Sequence, residues 1–236
     1  MKKLAALLVV LMLSVSLPSD VFAKGPAKKV VDYVALGDSL ARGVTPDNEI
    51  GAGYPDYLTE RLRQSQYMVD YDNFSVPGAT TDHLLGVIKQ DVVLNNIQEA
   101  EFITIDIGAN DLLSALPNPA KLPAALKTVS TNLNAVLAAI DQHNPNAKVY
   151  VMGYYNPFPY APAEQQPQLE ELLNNLNGLI QLATLINGDT YVPTKDIIAK
   201  NYQTYLPNPS NIHLSEEGYQ AVAKEFWKKL DKSKND

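Results

Sequence analysis

The sequence predicts an α/β protein, a three-layer α/β/α sandwich built around a mainly parallel sheet. Short apolar runs rich in β-branched residues alternate with longer segments of helical periodicity over most of the chain. Parallel strands need long crossovers, and right-handed crossovers place helices on both faces of the sheet. Two apolar runs break at a glycine that is followed within two residues by a small polar side chain, at 37–39 and 108–110, which is typical of strand ends that face a ligand crevice.

The strands and helices follow one another regularly. The first strand, at about 30–36, is β-branched, and the apolar run at 101–107 has the character of a central strand. The segment 122–143 carries Leu, Val and Ile at helical spacing, and Ser215 caps a final helix that has acidic residues in its first turn and ends near Leu230. The other expected elements are strands at about 67–74, 148–152 and 190–192 and helices at about 54–66, 84–97 and 169–186.

Composition restricts the possible chemistry. The chain of 236 residues contains no cysteine, which excludes disulfides, thiolate metal sites and a cysteine nucleophile. Its formal charge of -7 and pI of about 5.0 argue against a nucleic-acid binder, because such proteins usually carry a basic surface.

The N-terminal residues 1–23 have the pattern of a signal peptide. Two lysines precede an apolar run over 4–17, and a small-x-small tripeptide ends at Ala23. The alternative is a retained membrane anchor, but the run is short for a spanning helix of about 20 residues. We therefore expect secretion, no membrane span after cleavage, and a single domain over 24–236.

Ser39 is the candidate nucleophile, because a hydroxyl just past a buried strand is rigidly held and faces the crevice. The segment 37–41 nearly fits a nucleophile elbow, although a turn in which Ser39 caps a helix is the alternative interpretation. A serine needs a base, and two of the three histidines, His83 and His143, lie in predicted helices as structural residues. His213, in a loop before the last helix, is the candidate base; the alternative is that it only packs or caps that helix.

Acyl transfer builds a negative oxygen that needs hydrogen-bond donors placed in advance. Gly78 lies in a turn after the second strand, where its backbone N–H can approach a ligand, and Asn110 follows the third strand with a side-chain amide. The alternatives are an ordinary turn glycine and a helix N-cap. Both positions follow strand ends, so we expect them to form an oxyanion hole together with the N–H of Ser39.

Taken together, these motifs resemble the SGNH hydrolase superfamily, the GDSL lipases and esterases. Four segments look like the four family blocks: 37–40 with Ser39, 73–80 with Gly78, 108–111 with Asn110, and 213–219 with His213. The resemblance covers nearly the whole mature chain and is strongest to secreted bacterial lipases and acylhydrolases. It implies a flavodoxin-like fold, catalysis by Ser39 and His213, a small-molecule or lipid ester as the partner, and neither a metal nor an organic cofactor.

One position departs from the family pattern. The family commonly places an aspartate three residues before the histidine, where Ser210 stands. Loss of the acid from a working triad costs roughly 10⁴ in rate. We expect the Nδ1–H of His213 to donate to a backbone carbonyl or to the Ser210 hydroxyl. The alternatives are a carboxylate from elsewhere, such as Asp38 or Asp196, or weak catalysis.

The aromatic loop after the fourth strand is the candidate substrate wall. Tyr155, Phe158 and Tyr160 are expected to line an acyl or aryl site, and the alternative is a packed surface loop. The predicted function is a secreted serine hydrolase that cleaves carboxylic esters. The alternatives are a carbohydrate O-acetyl esterase and, because of Ser210, a weakly active or non-catalytic binding protein.

Overall fold

The central sheet is formed by five strands within residues 29–231, which are the residues described by the structure, a computed structural model. The strands are β1 (Val30–Gly37), β2 (Met68–Asn73), β3 (Phe102–Asp106), β4 (Lys148–Met152) and β5 (Thr190–Val192). All neighbours pair in parallel, in the order β2-β1-β3-β4-β5. The predicted signal peptide at 1–23 lies outside the described residues.

Helices connect the strands and cover both faces of the sheet. They are α1 (Ser39–Arg42), α2 (Tyr54–Gln64), α3 (Thr81–Val87), α4 (Asp91–Glu99), α5 (Ala109–Ala115), α6 (Leu122–His143), α7 (Gln166–Asn187), α8 (Lys195–Ala199), α9 (Tyr202–Tyr205) and α10 (Glu216–Leu230). One layer packs α6 against α3, α4, α5 and α7, and the other packs α10 against α2, α8 and α9. The predicted three-layer α/β/α sandwich is confirmed, with the strand order of flavodoxin-like proteins. None of the described helices is both long enough and apolar enough to cross a bilayer.

The predicted helix at 84–97 is in fact two helices, α3 and α4, separated at residues 88–90. Ile88 and Val93 are both buried. In one continuous helix, two residues five positions apart would point about 140° away from each other. The break allows both side chains to reach the core. The seven residues of α5 were not predicted either, because so short a helix shows no clear periodicity.

The carboxyl ends of the first three strands meet at one edge of the sheet and position the site. β1 and β3 pair with Gly37 opposite Asp106, the last residue of each strand. The first residue of α1 is Ser39, and Asn110 is the second residue of α5. The loop after β2 is joined to the same edge, because its Val76 N–H donates to the Gly37 carbonyl at 3.0 Å.

Candidate active site

Ser39 and His213 meet at this edge of the sheet. Ser39 begins α1, whose N-cap Asp38 accepts a hydrogen bond of 3.0 Å from the backbone N–H of Leu40. His213 comes from the loop before α10, a helix that Ser215 caps as predicted. The Nε2 atom of His213 lies 2.9 Å from Ser39 Oγ, within the reach expected of a nucleophile and its base.

The other ring nitrogen of His213 faces the side chain of Asn211. Asn211 Oδ1 lies 2.7 Å from His213 Nδ1 and also accepts a hydrogen bond of 2.9 Å from the backbone N–H of His213. A backbone N–H can only donate, so the oxygen of the amide faces His213 and Nδ1 carries the ring proton. Nε2 is then unprotonated and able to accept the proton of Ser39.

Asn211 therefore occupies the place that the sequence-based hypothesis gave to a backbone carbonyl or to Ser210. The Ser210 side chain is exposed, and its backbone N–H donates to Asn208 Oδ1 at 3.0 Å. Within residues 29–231, neither Asp38 nor Asp196 is hydrogen-bonded to the ring. The sequence signal for Asn211 is its position two residues before the histidine, where an Asx turn returns the side-chain oxygen to the backbone N–H.

The surroundings of His213 favour the neutral imidazole. Burial lowers the pKa of His213 from its ordinary value of 6.5. The Asn211 amide has no charge, so its hydrogen bond orients the ring without stabilising the imidazolium as a carboxylate would. At neutral pH, His213 is therefore in the form that accepts a proton.

Two of the three predicted oxyanion donors are the backbone N–H groups of Ser39 and Gly78. Gly78 has a φ of +80°, and a Cβ built on it would meet no heavy atom within 4 Å, so its backbone is openly accessible. In the described part of the chain, the N–H groups of Ser39 and Gly78 donate to no protein acceptor. Both are therefore available to a substrate oxygen.

The amide of Asn110, the third predicted donor, is already engaged. Its Nδ2 donates to the Ala79 carbonyl at 2.9 Å and to Asp38 Oδ2 at 3.3 Å. The neighbouring Asp111 accepts from the backbone N–H and the hydroxyl of Thr81, at 2.9 and 2.7 Å, which ties α5 to the start of α3. An oxyanion bound by Asn110 has to share or replace one of the two bonds, and the longer bond to Asp38 is the weaker.

Two buried carboxyl groups lie beneath the nucleophile. Asp38 accepts from the Tyr154 hydroxyl at 2.9 Å, and Asp106 accepts from the Tyr54 hydroxyl at 2.7 Å and from the backbone N–H of Asp38 at 3.2 Å. Burial raises the pKa of both groups, and the negative charge of Asp38 raises that of Asp106 well above its usual range. The low-dielectric surroundings and the closeness of the two groups thus disfavour two ionised carboxylates side by side. A Cβ at Gly37 would lie 2.4 Å from Asp106 Oδ1, so only glycine fits there.

An apolar pocket opens directly beside Ser39 and His213. It lies between α5, α7 and the aromatic loop after β4 and is partly open to solvent. Its leucine walls are Leu112, Leu113, Leu116, Leu169, Leu172, Leu173 and Leu176. Of the predicted substrate residues, Tyr155 and Phe158 line the pocket, whereas Tyr160 lies outside it and donates to the Leu206 carbonyl at 3.0 Å. The pocket suits an apolar group attached to the carbon that Ser39 attacks.

Comparison with known proteins points to one family. The profile of the GDSL-like lipase/acylhydrolase family matches residues 35–221. The uncharacterized protein YpmR of Bacillus subtilis is 26% identical over 223 residues, which cover 87% of this chain and 83% of that protein. The spore germination lipase LipC of Bacillus licheniformis is 24% identical over 214 residues, which cover 83% of this chain and 94% of that protein.

Solved structures share the fold at low sequence identity. The lipase Lip_vut3 from a goat rumen metagenome matches with a TM-score of 0.74 at 21% identity, covering 84% of this chain and 96% of that one. Axe2, an acetylxylan esterase from Geobacillus stearothermophilus, matches with a TM-score of 0.67 at 15% identity, covering 88% and 95% of the two chains. These similarities establish the fold, and the substrate has to be argued from the site.

Proposed function

The chain belongs to the GDSL-like lipase/acylhydrolase family, and from this premise we propose that it is a secreted serine hydrolase of carboxylic esters. The observation that carries the proposal is the 2.9 Å contact between Ser39 Oγ and His213 Nε2 at an apolar pocket. That contact is also an argument against a purely binding role, because binding requires no base beside the hydroxyl. Secretion rests on the signal-peptide pattern of residues 1–23.

The proposed reaction proceeds through an acyl-enzyme. His213 Nε2 takes the proton of Ser39 as Oγ attacks the ester carbonyl carbon, and a tetrahedral intermediate forms. The N–H groups of Ser39 and Gly78 and the Asn110 amide hold its oxyanion. The imidazolium then gives its proton to the departing alcohol, which leaves Ser39 acylated. His213 deprotonates a water molecule that attacks the acyl carbon, and the protonated ring returns the proton to Ser39 Oγ as the acid departs.

The pocket favours acyl chains longer than acetyl. Its walls are leucine and aromatic side chains, and burial of each methylene group of a substrate in such surroundings contributes about 0.8 kcal/mol. An acetyl group offers only one methyl group for such burial. We therefore favour an esterase or lipase acting on fatty acyl esters over a carbohydrate O-acetyl esterase.

The proposal is tested with the mature chain and two kinds of reagent. We expect hydrolysis of p-nitrophenyl esters in a series from acetyl to palmitoyl, with an optimum beyond acetyl. An alkyl phosphonate directed at activated serines should form one adduct, located by mass spectrometry on the peptide that contains Ser39, and the adduct should disappear in His213→Ala. No hydrolysis of any ester and no adduct on Ser39 would contradict the serine mechanism, and activity on acetyl esters alone would favour the deacetylase.

Filling the pocket should shorten the preferred acyl chain. Leu172 of α7 lines the pocket, and Leu172→Trp adds a bulky ring to its wall. If the ring displaces three methylene groups, the loss of about 2.4 kcal/mol lowers kcat/KM for long esters roughly 60-fold relative to acetyl. The measurement is kcat/KM across the p-nitrophenyl series.

The matched control for this change is Leu185→Trp. Leu185 lies on the same helix but is 76% exposed and away from the pocket, so the chain-length profile should stay as in the wild type. Phe158→Ala and Tyr160→Ala form a second pair, in which only Phe158 lines the pocket and only its loss should shift the profile. Equal profiles for Leu172→Trp and Leu185→Trp would show that the acyl chain binds elsewhere.

A further inference from the structure

We propose that Asn211 is the positioning residue that takes the place of the acid in the catalytic triad, and that the loop at 44–50 holds its amide in register. The inference rests on the proposed function, because it assigns Asn211 a role in the reaction of Ser39 and His213. It concerns a feature particular to this chain, since the family's usual acid position is occupied here by Ser210.

The Asn211 amide is held from both ends. Its Oδ1 accepts from the backbone N–H of His213 at 2.9 Å and lies 2.7 Å from Nδ1. Its Nδ2 donates to the Pro46 carbonyl at 3.0 Å and to Asn48 Oδ1 at 2.9 Å. A peptide carbonyl can only accept, so the two ends of the amide cannot be exchanged. The oxygen is thereby locked toward His213, and the ring proton is kept on Nδ1.

The loop that holds Asn211 is itself braced. Val44 and Ile50 form an antiparallel bridge, and within the loop the Thr45 N–H donates to the Glu49 carbonyl at 2.8 Å. Asn208 adds a second link, since its Nδ2 also donates to the Pro46 carbonyl at 3.0 Å. These bonds join two loops that are about 160 residues apart in the chain. The orientation of the His213 ring therefore depends on the 44–50 loop, which is distant in the sequence.

A neutral amide performs one of the two functions that a carboxylate would have at this position. It fixes the tautomer and the ring orientation, but it adds no negative charge to stabilise the imidazolium. Other titratable groups at this end of the molecule are Asp38, which lines the same pocket, Tyr155, whose hydroxyl donates to the Ile212 carbonyl, and Glu216 and Glu217 in the first turn of α10. In the described residues none of them is hydrogen-bonded to the ring, so Asn211 is the side chain there that contacts Nδ1.

Three alanine variants test the positioning role. Asn211→Ala should lower kcat on the order of 100-fold with little change in KM, because a misplaced base costs about that much. Ser210→Ala is the matched control, since it changes the neighbouring exposed residue, and it should leave kcat unchanged. Asn208→Ala removes the hydrogen bond to the Pro46 carbonyl but keeps the contact between Asn211 and the ring, so its kcat should lie between those of the other two variants. An Asn211→Ala variant with the kcat of Ser210→Ala would overturn the proposal.

Asn211→Asp should change the pH dependence of kcat/KM, which a residue with a purely structural role would not affect. Its carboxylate still accepts the Nδ1–H, so much of the kcat lost in Asn211→Ala should return. The negative charge stabilises the imidazolium and raises the pKa of His213, so the acid limb of kcat/KM should move to higher pH. The carboxylate also loses the donors to Pro46 and Asn48, which should appear as a lower Tm. An acid limb at the wild-type position would refute the role of Asn211.

The same question can be answered without a substrate. The His213 ring can be titrated by NMR in the wild type, Asn211→Ala and Asn211→Asp, and its pKa should be highest in the aspartate variant. If no ester is hydrolysed but the titration shows this order, the proposed function fails while the role of Asn211 in holding the ring stands. If hydrolysis depends on Ser39 but the three titrations coincide, the proposed function stands and this inference fails.

Discussion

Ser39→Ala is expected to lower kcat by about 10⁴- to 10⁶-fold, with the folded protein intact. The variant lacks the oxygen that becomes acylated, so only water attack assisted by the oxyanion donors and the pocket remains. The serine is half-buried at the start of a four-residue helix, and alanine is compatible with that helix. Initial rates on the best p-nitrophenyl ester measure the loss, and thermal unfolding checks the fold.

Two comparisons make this result specific. Ser114→Ala makes the same chemical change at an exposed position of α5 and should retain full activity. The double variant Ser39→Ala, His213→Ala should be no slower than Ser39→Ala alone, because the base has no function without the nucleophile. Activity that survives Ser39→Ala would mean that another group attacks the ester, and the acyl-enzyme mechanism would have to be abandoned.

Asn110→Ala is expected to lower kcat by about 10²- to 10³-fold while KM changes little. In the proposed mechanism the amide stabilises charge that exists only in the transition state, so its loss should raise the barrier by about 2.7–4 kcal/mol without weakening ground-state binding. The Nδ2 bond to Asp38 is long, at 3.3 Å, and is the one that an oxyanion can replace. Separate determination of kcat and KM on one ester distinguishes this role from substrate binding.

The control for Asn110 is an asparagine with a similar bond outside the site. In α4, Asn96 donates its Nδ2 to the Val92 carbonyl at 2.9 Å, and Asn96→Ala should leave kcat unchanged. Because Asn110 also ties Ala79 to the site, the Tm of both variants has to be compared. A loss confined to KM, or none at all, would remove Asn110 from the oxyanion hole.

Much of the fold was predictable because hydrophobic patterning is local. The strand at 190–192 and the helix at 122–143 were predicted with their observed limits, since short β-branched runs and long amphipathic runs have distinct periods. The break between α3 and α4 was not predictable in this way, because it depends on how Ile88 and Val93 meet a core built by other segments. The hydrophobic pattern predicts the type of each element, whereas the break between α3 and α4 is determined by tertiary packing.

Some residues of the candidate site were predictable from the sequence and others were not. Ser39 and His213 were paired from their positions after a strand and before the last helix, with support from the resemblance, and the structure brings their side chains together. Asn211 was missed because Ser210 occupies the expected acid position, and nothing local shows that the 44–50 loop will hold the asparagine amide. Tyr160 was expected in the substrate wall with Phe158, but two residues along an irregular loop are enough to separate a pocket residue from an outer one.

By itself the sequence determined the order of strands and helices and the polar residues that follow each strand end, because these features depend on neighbours along the chain. Only the tertiary structure decided which group meets His213 Nδ1, that Asp38 and Asp106 lie buried against each other, and that leucines of α5 and α7 form a pocket beside Ser39. The physical reason is that hydrogen-bond partners, buried charge and pocket walls come from distant segments. The distances between these segments are determined by the packing of the layers, and the local sequence pattern does not predict them.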